Sequence, residues 1–297
     1  MLRFRTQKSF YFIYMGCKIG NNKFIQINTI PKYTTDLRGK FLFMRHGKTS
    51  FNSDHNKTRQ INPLYIDCHL SEEGIKQVKY KQTIINSLTI EKVYVSPFYR
   101  ALQTASLLLE NHPNLNNIKV LVHPKIAEIG GCTHDFIYDI QQNKKDFNMN
   151  STVKFDWKYF DEYISKIIYD ENFFYFEEFN NLSNDIKTQI YNNLKELYKQ
   201  KDINLYKKAL ENLAMHRIKI RKRFESINHE YERFLELKRN LNLIHKLTLN
   251  DKDKKVLIIS HSSFIKIATS PGIYEGGKNK PHPSCHPVKN LEIISIF

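Results

Sequence analysis

The chain has 297 residues, 41% of them hydrophobic, which suffices for one large domain or two small ones. The mean hydropathy is -0.52 and no apolar run approaches the ~20 residues of a membrane span, so we expect a soluble protein without a transmembrane segment. A net charge of +16 favours anionic partners, such as phosphorylated substrates, nucleic acid or an acidic membrane surface. Because Lys, Asn, Ile and Tyr are abundant throughout, we interpret the charge as compositional bias and expect no specific binding of nucleic acid.

The cysteines and the N-terminus bear on the compartment. The four cysteines are scattered without a CxxC pair, which argues against a disulfide framework or a zinc ribbon and makes a reducing compartment the default. Residues 1–35 form a basic N-terminal extension, since no acidic residue precedes Asp36. We expect a cytoplasmic protein, or alternatively a mitochondrial or plastid one if this extension is a transit peptide.

Residues 41–44 form an apolar run that predicts a strand buried on both faces. The run ends in Arg45-His46-Gly47, and ligands of open α/β sheets bind beyond the carboxyl ends of the strands. An arginine can bind phosphate oxygens through two N–H groups, and a neutral imidazole can attack phosphorus. Alone, this tripeptide is a weak signal, because a histidine at a strand end is often only a hydrogen-bonded structural residue.

The segment after this strand contains a polar loop and then a helix. Asn52 lies in the loop, six residues past His46. A loop asparagine usually stabilises a turn, but one so close to His46 has the alternative of donating an N–H group to phosphate. The helix is predicted to start after Ser71, a good N-cap that precedes two acidic residues.

A second strand, over residues 93–96, is stopped by Pro97, and a helix is predicted from Phe98 onward. Arg100 therefore lies in the first helical turn, where the helix dipole disfavours a cation. Local rules are most often broken at functional sites, so Arg100 is a candidate anion ligand. The alternative is a surface arginine, the commonest fate of this residue type.

Two further predicted strands end near chemically useful side chains. A strand over 119–123 is followed by Glu128, whose apolar neighbours would raise its pKa and suit it to general acid catalysis. The alternative is an ordinary loop glutamate. The run 255–261 is the strongest predicted strand; it ends in His261, and Ser262-Ser263 are expected to cap a short helix.

The last part of the chain contains a loop, 281–287, and a predicted strand over 290–296. The loop includes His282, Cys285 and His286, which could suggest a metal ion. A tetrahedral metal site needs more ligands at better spacing, so we expect a rigid loop and no metal.

The sequence changes character between Cys132 and about residue 253, where glycine and proline disappear. Apolar residues at a spacing of three to four predict helices over 182–247. Lys and Arg crowd residues 217–223, which usually marks a solvated helix face and alternatively a polyanion site. We expect a helical insertion over about 135–250 that covers the site, within one domain spanning 36–297.

Four predicted strands thus lead to Arg45-His46, Arg100, Glu128 and His261. The carboxyl ends of parallel strands converge on one edge of a sheet, so these side chains would form a phosphate pocket with a nucleophile and a proton donor. We expect an α/β fold, a three-layer α/β/α sandwich with a mostly parallel sheet.

These residues resemble the histidine phosphatase superfamily, which includes cofactor-dependent phosphoglycerate mutases, fructose-2,6-bisphosphatase and broad-specificity sugar phosphatases. The resemblance covers residues 38–134 and 253–297 and leaves 135–250 unassigned. It rests on motifs found in this order: Arg45-His46-Gly47-Lys48-Thr49 with Asn52, Asp67-x-x-Leu70-Ser71-x-x-Gly74 with Gln77, Ser96-Pro97-x-x-Arg100-Ala101-x-Gln103-Thr104-Ala105, Glu128-Ile129, Ser260-His261 and Asn290.

The resemblance implies a role for each matching residue. His46 would be the nucleophile that forms a phosphohistidine, and Glu128 would protonate the leaving oxygen and then activate water. Phosphate binding would fall to Arg45, Asn52, Arg100, His261 and Ser262. No metal and no cofactor is implied, because the arginines and His261 supply the positive charge.

The resemblance also implies a reaction class. Phosphoglycerate mutases usually carry an arginine directly after the acid, whereas here Ile129 follows Glu128, which favours a phosphatase. We therefore expect a phosphomonoesterase that acts on a phosphorylated small molecule or a phosphoprotein. The alternatives are mutase-type phosphotransfer and a catalytically silent anion-binding or scaffold protein of the same fold. The substrate and the oligomeric state do not follow from the sequence.

Overall fold

The computed structural model describes residues 33–34, 37–55, 65, 67–128, 133–135, 140–167, 227–247, 253–270, 273–274, 280–281 and 285–296. Within these ranges the strands are β1 (Tyr33–Thr34), β2 (Phe41–Arg45), β3 (Ile90–Val95), β4 (Lys119–Val122), β5 (Phe155–Asp156), β6 (Lys255–Ser260), β7 (Ile273–Tyr274), β8 (Lys280–Pro281) and β9 (Ile293–Ile296). The α-helices are α1 (Ser50–Ser53), α2 (Glu72–Asn86), α3 (Tyr99–Leu109), α4 (Ile140–Asn150), α5 (Lys158–Ile167), α6 (Ile227–Leu247) and α7 (Ser262–Ala268). Short 3-10 helices span Leu115–Asn117, Pro124–Ile126 and Thr133–Asp135.

The described strands form a sheet of seven in the order β1-β9-β2-β6-β3-β4-β5, and β7 pairs separately with β8. The run from β2 to β5 is parallel, whereas β9 is antiparallel to both β1 and β2. The loops that follow β2, β3, β4 and β6 therefore leave the sheet at one edge, where ligands of α/β sheets bind.

Side chains alternate between two hydrophobic cores, one on each face of the sheet. In β2, Leu42 and Met44 belong to the first core, whereas Phe41 and Phe43 belong to the second. Helices α2, α3 and α4 contribute to the first core, and α6 and α7 contribute to the second. The predicted three-layer α/β/α sandwich is confirmed, because both faces of the sheet are covered by helices.

Helix α2 packs directly on the loop that follows His46, and this contact requires a glycine. The side chain of Ser71 caps the helix by accepting from the amide of Gly74 at 3.1 Å, as the sequence predicts. A Cβ atom added to Gly74 would lie only 1.9 Å from the carbonyl oxygen of Lys48. The same oxygen accepts from the Ser71 amide at 2.9 Å, so α2 fixes the backbone two residues after His46.

Parts of the expected extension and insertion belong to the sandwich itself. Strand β1 lies within the expected extension 1–35, yet it pairs with β9. Strand β5 lies within the expected insertion, yet it pairs in parallel with β4. Helix α6 also lies there, yet its buried Phe234, Leu237 and Leu241 pack in the second core.

The division of the chain into an extension and an insertion stays a prediction. The helices expected over 182–247 are confirmed for α6, and residues 182–226, with the basic run 217–223, lie outside the described residues. Of the helices that the structure describes, none has the length and hydrophobicity to cross a membrane.

Candidate active site

Hydrogen bonds that continue the sheet ladder fix the start of two loops at the carboxyl edge. The amide of His46 donates to the carbonyl of Ser260 at 3.0 Å. The amide of Ser96 donates to the carbonyl of Ile259 at 3.0 Å. Both loops are therefore held against β6, and the side chains that follow β2, β3 and β6 are brought together.

His46 is buried and held in one tautomer. Its Nδ1 lies 2.8 Å from the carbonyl oxygen of Gly47, which can only accept, so Nδ1 carries the proton. Nε2 presents its lone pair and accepts from Arg100 Nε at 3.3 Å. Burial, and then the charges of Arg100 and Arg45, hold the pKa of His46 well below its usual range. The ring is therefore neutral with a free electron pair at Nε2, the state that a nucleophilic imidazole needs.

His261 lies beside His46, with 5.1 Å between the ring centroids, and it is fully buried. Its Nε2 lies 2.6 Å from the hydroxyl of Ser96, whereas its buried Nδ1 has no hydrogen-bond partner among the described residues. Burial, and then the charge of Arg100, hold the pKa of His261 well below its usual range. The unsatisfied Nδ1 is a position at which a polar ligand atom would be stabilised.

Arg100 lies in the first turn of α3, as predicted, and it is fully buried, which excludes the surface alternative. Its guanidinium carbon lies 4.4 Å from the ring centroid of Phe98. Nη1 donates to the carbonyl of His134 at 2.5 Å, and Nη2 donates to a carboxylate oxygen of Asp135 at 3.3 Å. With Nε bound to His46, each nitrogen of the guanidinium has an acceptor.

The 3-10 helix Thr133–Asp135 brings a carboxylate and an imidazole to the site, and the sequence analysis missed both. Asp135 is buried and its carboxylate also lies 3.1 Å from Nε2 of His134. The ring of His134 stacks on Phe51 of α1, with centroids 3.7 Å apart. The carboxylate of Asp135 therefore occupies an edge of the Arg100 guanidinium that a phosphate oxygen would otherwise use.

Arg45 lies half-buried at the end of β2. Its Nη1 donates to the carbonyl of Val288 at 3.1 Å, and its buried Nε lacks a hydrogen-bond partner within the part of the chain that the structure describes. Burial lowers the pKa of Arg45, opposed by the charge of Glu128 and reinforced by that of Arg100. Arg45 thus interacts electrostatically with Glu128 and Arg100, and its Nε donates a hydrogen bond to neither of them.

Glu128 is half-buried and follows the 3-10 helix Pro124–Ile126. Its Oε2 accepts from the amide of Ser263, in the first turn of α7, at 3.5 Å. The carboxylate lies at the same edge as the two histidines, since it contacts the start of α7 and interacts electrostatically with Arg45. The raised pKa that the sequence suggests for Glu128 stays a prediction.

Two predicted phosphate ligands have structural contacts of their own. Asn52 uses its oxygen to accept from the amide of Thr49 at 3.3 Å and from its hydroxyl at 3.1 Å, which completes the cap of α1. The expectation that Ser262-Ser263 cap α7 is wrong, because Ser262 begins the helix and His261 is the N-cap residue. Phosphate binding by Asn52 and Ser262 stays a prediction.

Backbone contacts hold His46 on both sides. Asn290 donates from its side chain to the carbonyl of His46 at 2.9 Å. The amide of Gly47 donates to the hydroxyl of Thr104 at 3.0 Å, and that hydroxyl donates to the carbonyl of Arg100 at 2.7 Å. Thr104 therefore links the loop of the candidate nucleophile to the helix that carries Arg100.

The missed residues differ in whether the sequence could have indicated them. Ser96 is part of a motif of the resemblance but was given no role; it directly follows β3, so the strand-end argument that selected His46 and His261 applies to it as well. His134 and Asp135 lie in a short irregular segment that has no periodicity and no strand end before it.

The edge of the sheet combines two arginines, Arg45 and Arg100, with the neutral rings of His46 and His261 and the carboxylates of Glu128 and Asp135. Among the residues that the structure describes, no group of three or more His, Cys, Asp or Glu side chains is placed to hold a metal ion. His282 of the 281–287 loop lies outside the described ranges. The arrangement favours binding of a small anion, since a buried Arg100 and a half-buried Arg45 lie at the same edge.

Similar solved structures include phosphoglycerate mutase from Bacillus anthracis str. Sterne, with a TM-score of 0.42 and 19% identity over 86% of this chain and 87% of that chain. The ecdysone phosphate phosphatase of Bombix mori, in complex with tungstate, has a TM-score of 0.41 and 12% identity over 85% of this chain and 86% of that chain.

Curated relatives match one part of the chain. It is 31% identical over 85 residues to fructose-2,6-bisphosphatase TIGAR of Xenopus laevis, which is 29% of this chain and 30% of the relative. It is 30% identical over 87 residues to fructose-2,6-bisphosphatase TIGAR B of Danio rerio, which is 29% of this chain and 32% of the relative. The chain thus spans only about a third of the length of these relatives. Residues 41–155 match the model of the histidine phosphatase superfamily (branch 1), so the chain carries a segment of this superfamily, as its motifs predict.

Proposed function

We propose that the protein is a metal-independent phosphomonoesterase that works through a phosphohistidine at His46. The observation that carries this proposal is the state of His46: its Nδ1 proton is held by the Gly47 carbonyl, and its Nε2 lone pair faces Arg100. The matched relatives of Xenopus laevis and Danio rerio are named as phosphatases, which supports the same class of reaction.

The first step transfers the phosphoryl group to the enzyme. Nε2 of His46 attacks phosphorus, the bond between phosphorus and the leaving oxygen breaks, and Glu128 gives that oxygen its proton. Substrate must first displace the hydrogen bond between Arg100 Nε and His46 Nε2, which frees a donor for a phosphate oxygen.

The second step returns the enzyme to its starting state. Water attacks the phosphohistidine, Glu128 accepts a proton from this water, and the bond between phosphorus and Nε2 breaks. Inorganic phosphate leaves and Nε2 regains its lone pair. Both steps use one carboxyl group, first as an acid and then as a base.

Positive charge at the site does the work that a metal ion does in other phosphatases. Arg45 and Arg100 stabilise the charge on the transferring phosphoryl group, and His261 offers its unsatisfied Nδ1 to it. Asn52 and Ser262 add neutral donors at the rim. Removing one such donor typically lowers kcat by roughly 10²–10³-fold.

The proposed substrate is a phosphorylated small molecule or a phosphoprotein. Ile129 follows Glu128 where mutases usually carry an arginine, so hydrolysis is favoured over transfer between two hydroxyl groups. Mutase activity would appear as isomer exchange of a phosphoglycerate primed with a bisphosphate, without stoichiometric release of inorganic phosphate.

The test is a panel of phosphomonoesters, from sugar phosphates to nucleotides and phosphopeptides, assayed with and without EDTA. We expect release of inorganic phosphate that resists EDTA and that His46→Asn abolishes. The matched control is His112→Asn, because His112 lies three residues past Leu109, the end of α3, which is itself about 14 Å along the helix from Arg100. Strict sensitivity to EDTA, or full activity of His46→Asn, would overturn the proposal.

A further inference from the structure

We propose that Arg233 is a positioning residue that holds Glu128 in place for proton transfer, an inference that rests on the acid and base role proposed for Glu128. Arg233 lies on α6, within the segment 135–250 that no motif of the sequence explains. It contacts neither His46 nor Arg100 through any hydrogen bond seen in the described residues, so its effect must pass through another group.

Arg233 is 3% exposed and binds the turn that leads to Glu128. Its Nη1 donates to the carbonyl of Lys125 at 2.7 Å and to the carbonyl of Ala127 at 3.2 Å. The carbonyl of Ala127 belongs to the peptide plane that ends at the nitrogen of Glu128. A guanidinium bound to this carbonyl therefore fixes the orientation of the backbone from which the Glu128 side chain starts.

The carbonyl of Ile126, which lies between these two, is bound by a residue of the sheet. The hydroxyl of Ser260, the last residue of β6, donates to the carbonyl of Ile126 at 2.7 Å. A second contact from α6 joins Glu236 to the ammonium group of Lys125. Helix α6 and strand β6 thus both bind the short 3-10 helix Pro124–Ile126 and the residue after it, and Arg233 makes the buried contacts from α6.

The position of the Glu128 carboxylate depends on the backbone that carries it. Its hydrogen bond from the Ser263 amide is 3.5 Å long, and the residue is only half-buried. Proton transfer requires the carboxyl group within hydrogen-bond reach of the leaving oxygen. A small rotation of the peptide plane at Ala127 would move the carboxyl group out of that reach.

A role in proton transfer makes a prediction that general destabilisation does not. Nitrophenolate leaves without a proton, whereas an alkoxide leaves slowly unless an acid protonates it. Loss of Glu128 positioning should therefore lower the rate on an alkyl phosphate far more than on p-nitrophenyl phosphate. A packing defect that disturbs His46 or Arg100 should lower both rates alike.

The experiment measures kcat on glycerol 2-phosphate and on p-nitrophenyl phosphate for Arg233→Met, Arg233→Lys and Glu128→Gln. The control is Arg239→Met, which removes an exposed arginine two turns along the same helix. We expect Arg233→Met to lose about 10–100-fold on the alkyl ester, a part of the 10²–10⁴-fold that general acids contribute. The loss on the aryl ester should stay below about threefold, and Arg239→Met should match the parent enzyme.

Two further results complete the test. Arg233→Lys should recover part of the alkyl ester rate, since an ammonium group can still donate to a carbonyl. If Arg233→Met does not fold, the rates of Arg233→Lys on the two esters are compared with those of the parent enzyme instead. Arg233→Met added to Glu128→Gln should cost nothing more on the alkyl ester. Equal losses on both esters, or additive losses in the double variant, would overturn the positioning role. If Glu128→Gln itself shows no selective loss, the acid role proposed for Glu128 fails first and the inference with it.

Discussion

Asp135 competes with phosphate for Arg100, so removing its charge should tighten anion binding. Its carboxylate accepts from Arg100 Nη2 at 3.3 Å inside a buried site. A phosphate dianion that binds Arg100 must displace this carboxylate or lie next to it. Asp135→Asn keeps the size of the side chain and removes only the competing charge.

The expected gain follows from the strength of the contact that must be broken. A hydrogen bond between charged groups contributes about 1.5–3 kcal/mol. Each 1.4 kcal/mol corresponds to a tenfold change in Kd, so the variant should bind inorganic phosphate about 10–100-fold more tightly. A bond length of 3.3 Å is long for a charged pair, which favours the lower part of this range.

Isothermal titration calorimetry with inorganic phosphate and with tungstate measures this change directly. Asp161→Asn is the matched control, since it removes the same charge from a side chain that is 56% exposed. If Asp135→Asn binds either anion more weakly than the parent protein, the carboxylate orients Arg100 for the anion and does not compete with it. That result would refute the reasoning.

Three other predictions concern stability and pH. Gly74→Ala should destabilise the protein by about 3 kcal/mol or more, because its Cβ would meet the Lys48 carbonyl oxygen at 1.9 Å, and urea unfolding measures the loss. Burial raises the pKa of Asp67 to about 6, so the native state holds this proton more tightly than the unfolded chain does. Stability should therefore fall by roughly 3 kcal/mol as pH rises from about 4 to above 6, and Asp67→Asn should remove this part of the pH dependence in urea titrations at each pH. Because the pKa of His46 is lowered, kcat/KM corrected for ionisation of the substrate should not fall near pH 6.5 through protonation of this imidazole. A fall in kcat/KM near pH 6.5 that persists when each of the other histidines is replaced would contradict this.

The sheet and its carboxyl edge could be predicted because short-range patterns determine them. Buried parallel strands appear in a sequence as apolar runs, and β2 and β6 are both such strands, each followed directly by a histidine. Arg100 could be selected because it breaks the dipole rule at the start of α3. Its burial follows from tertiary packing, which the rule does not describe.

Other features could not be predicted because they depend on contacts between distant segments. The pairing of β5 with β4 involves two residues on each strand, too few for an alternating pattern to appear. The amphipathic spacing of α6 predicts a helix but does not say which surface it covers, and α6 packs on the second face of the sheet. The ion pair between Asp135 and Arg100 joins residues whose sequence neighbours give no signal of it.

The central claim is that His46 becomes phosphorylated during turnover. The direct measurement is to mix the enzyme with a ³²P-labelled phosphomonoester, quench within milliseconds in alkali, and locate the label in peptides. We expect label on His46 that is stable to alkali and lost in acid, as a phosphoramidate bond requires, and we expect none in His46→Asn. Phosphate release at an undiminished rate with no label on His46 at any time point would contradict the account.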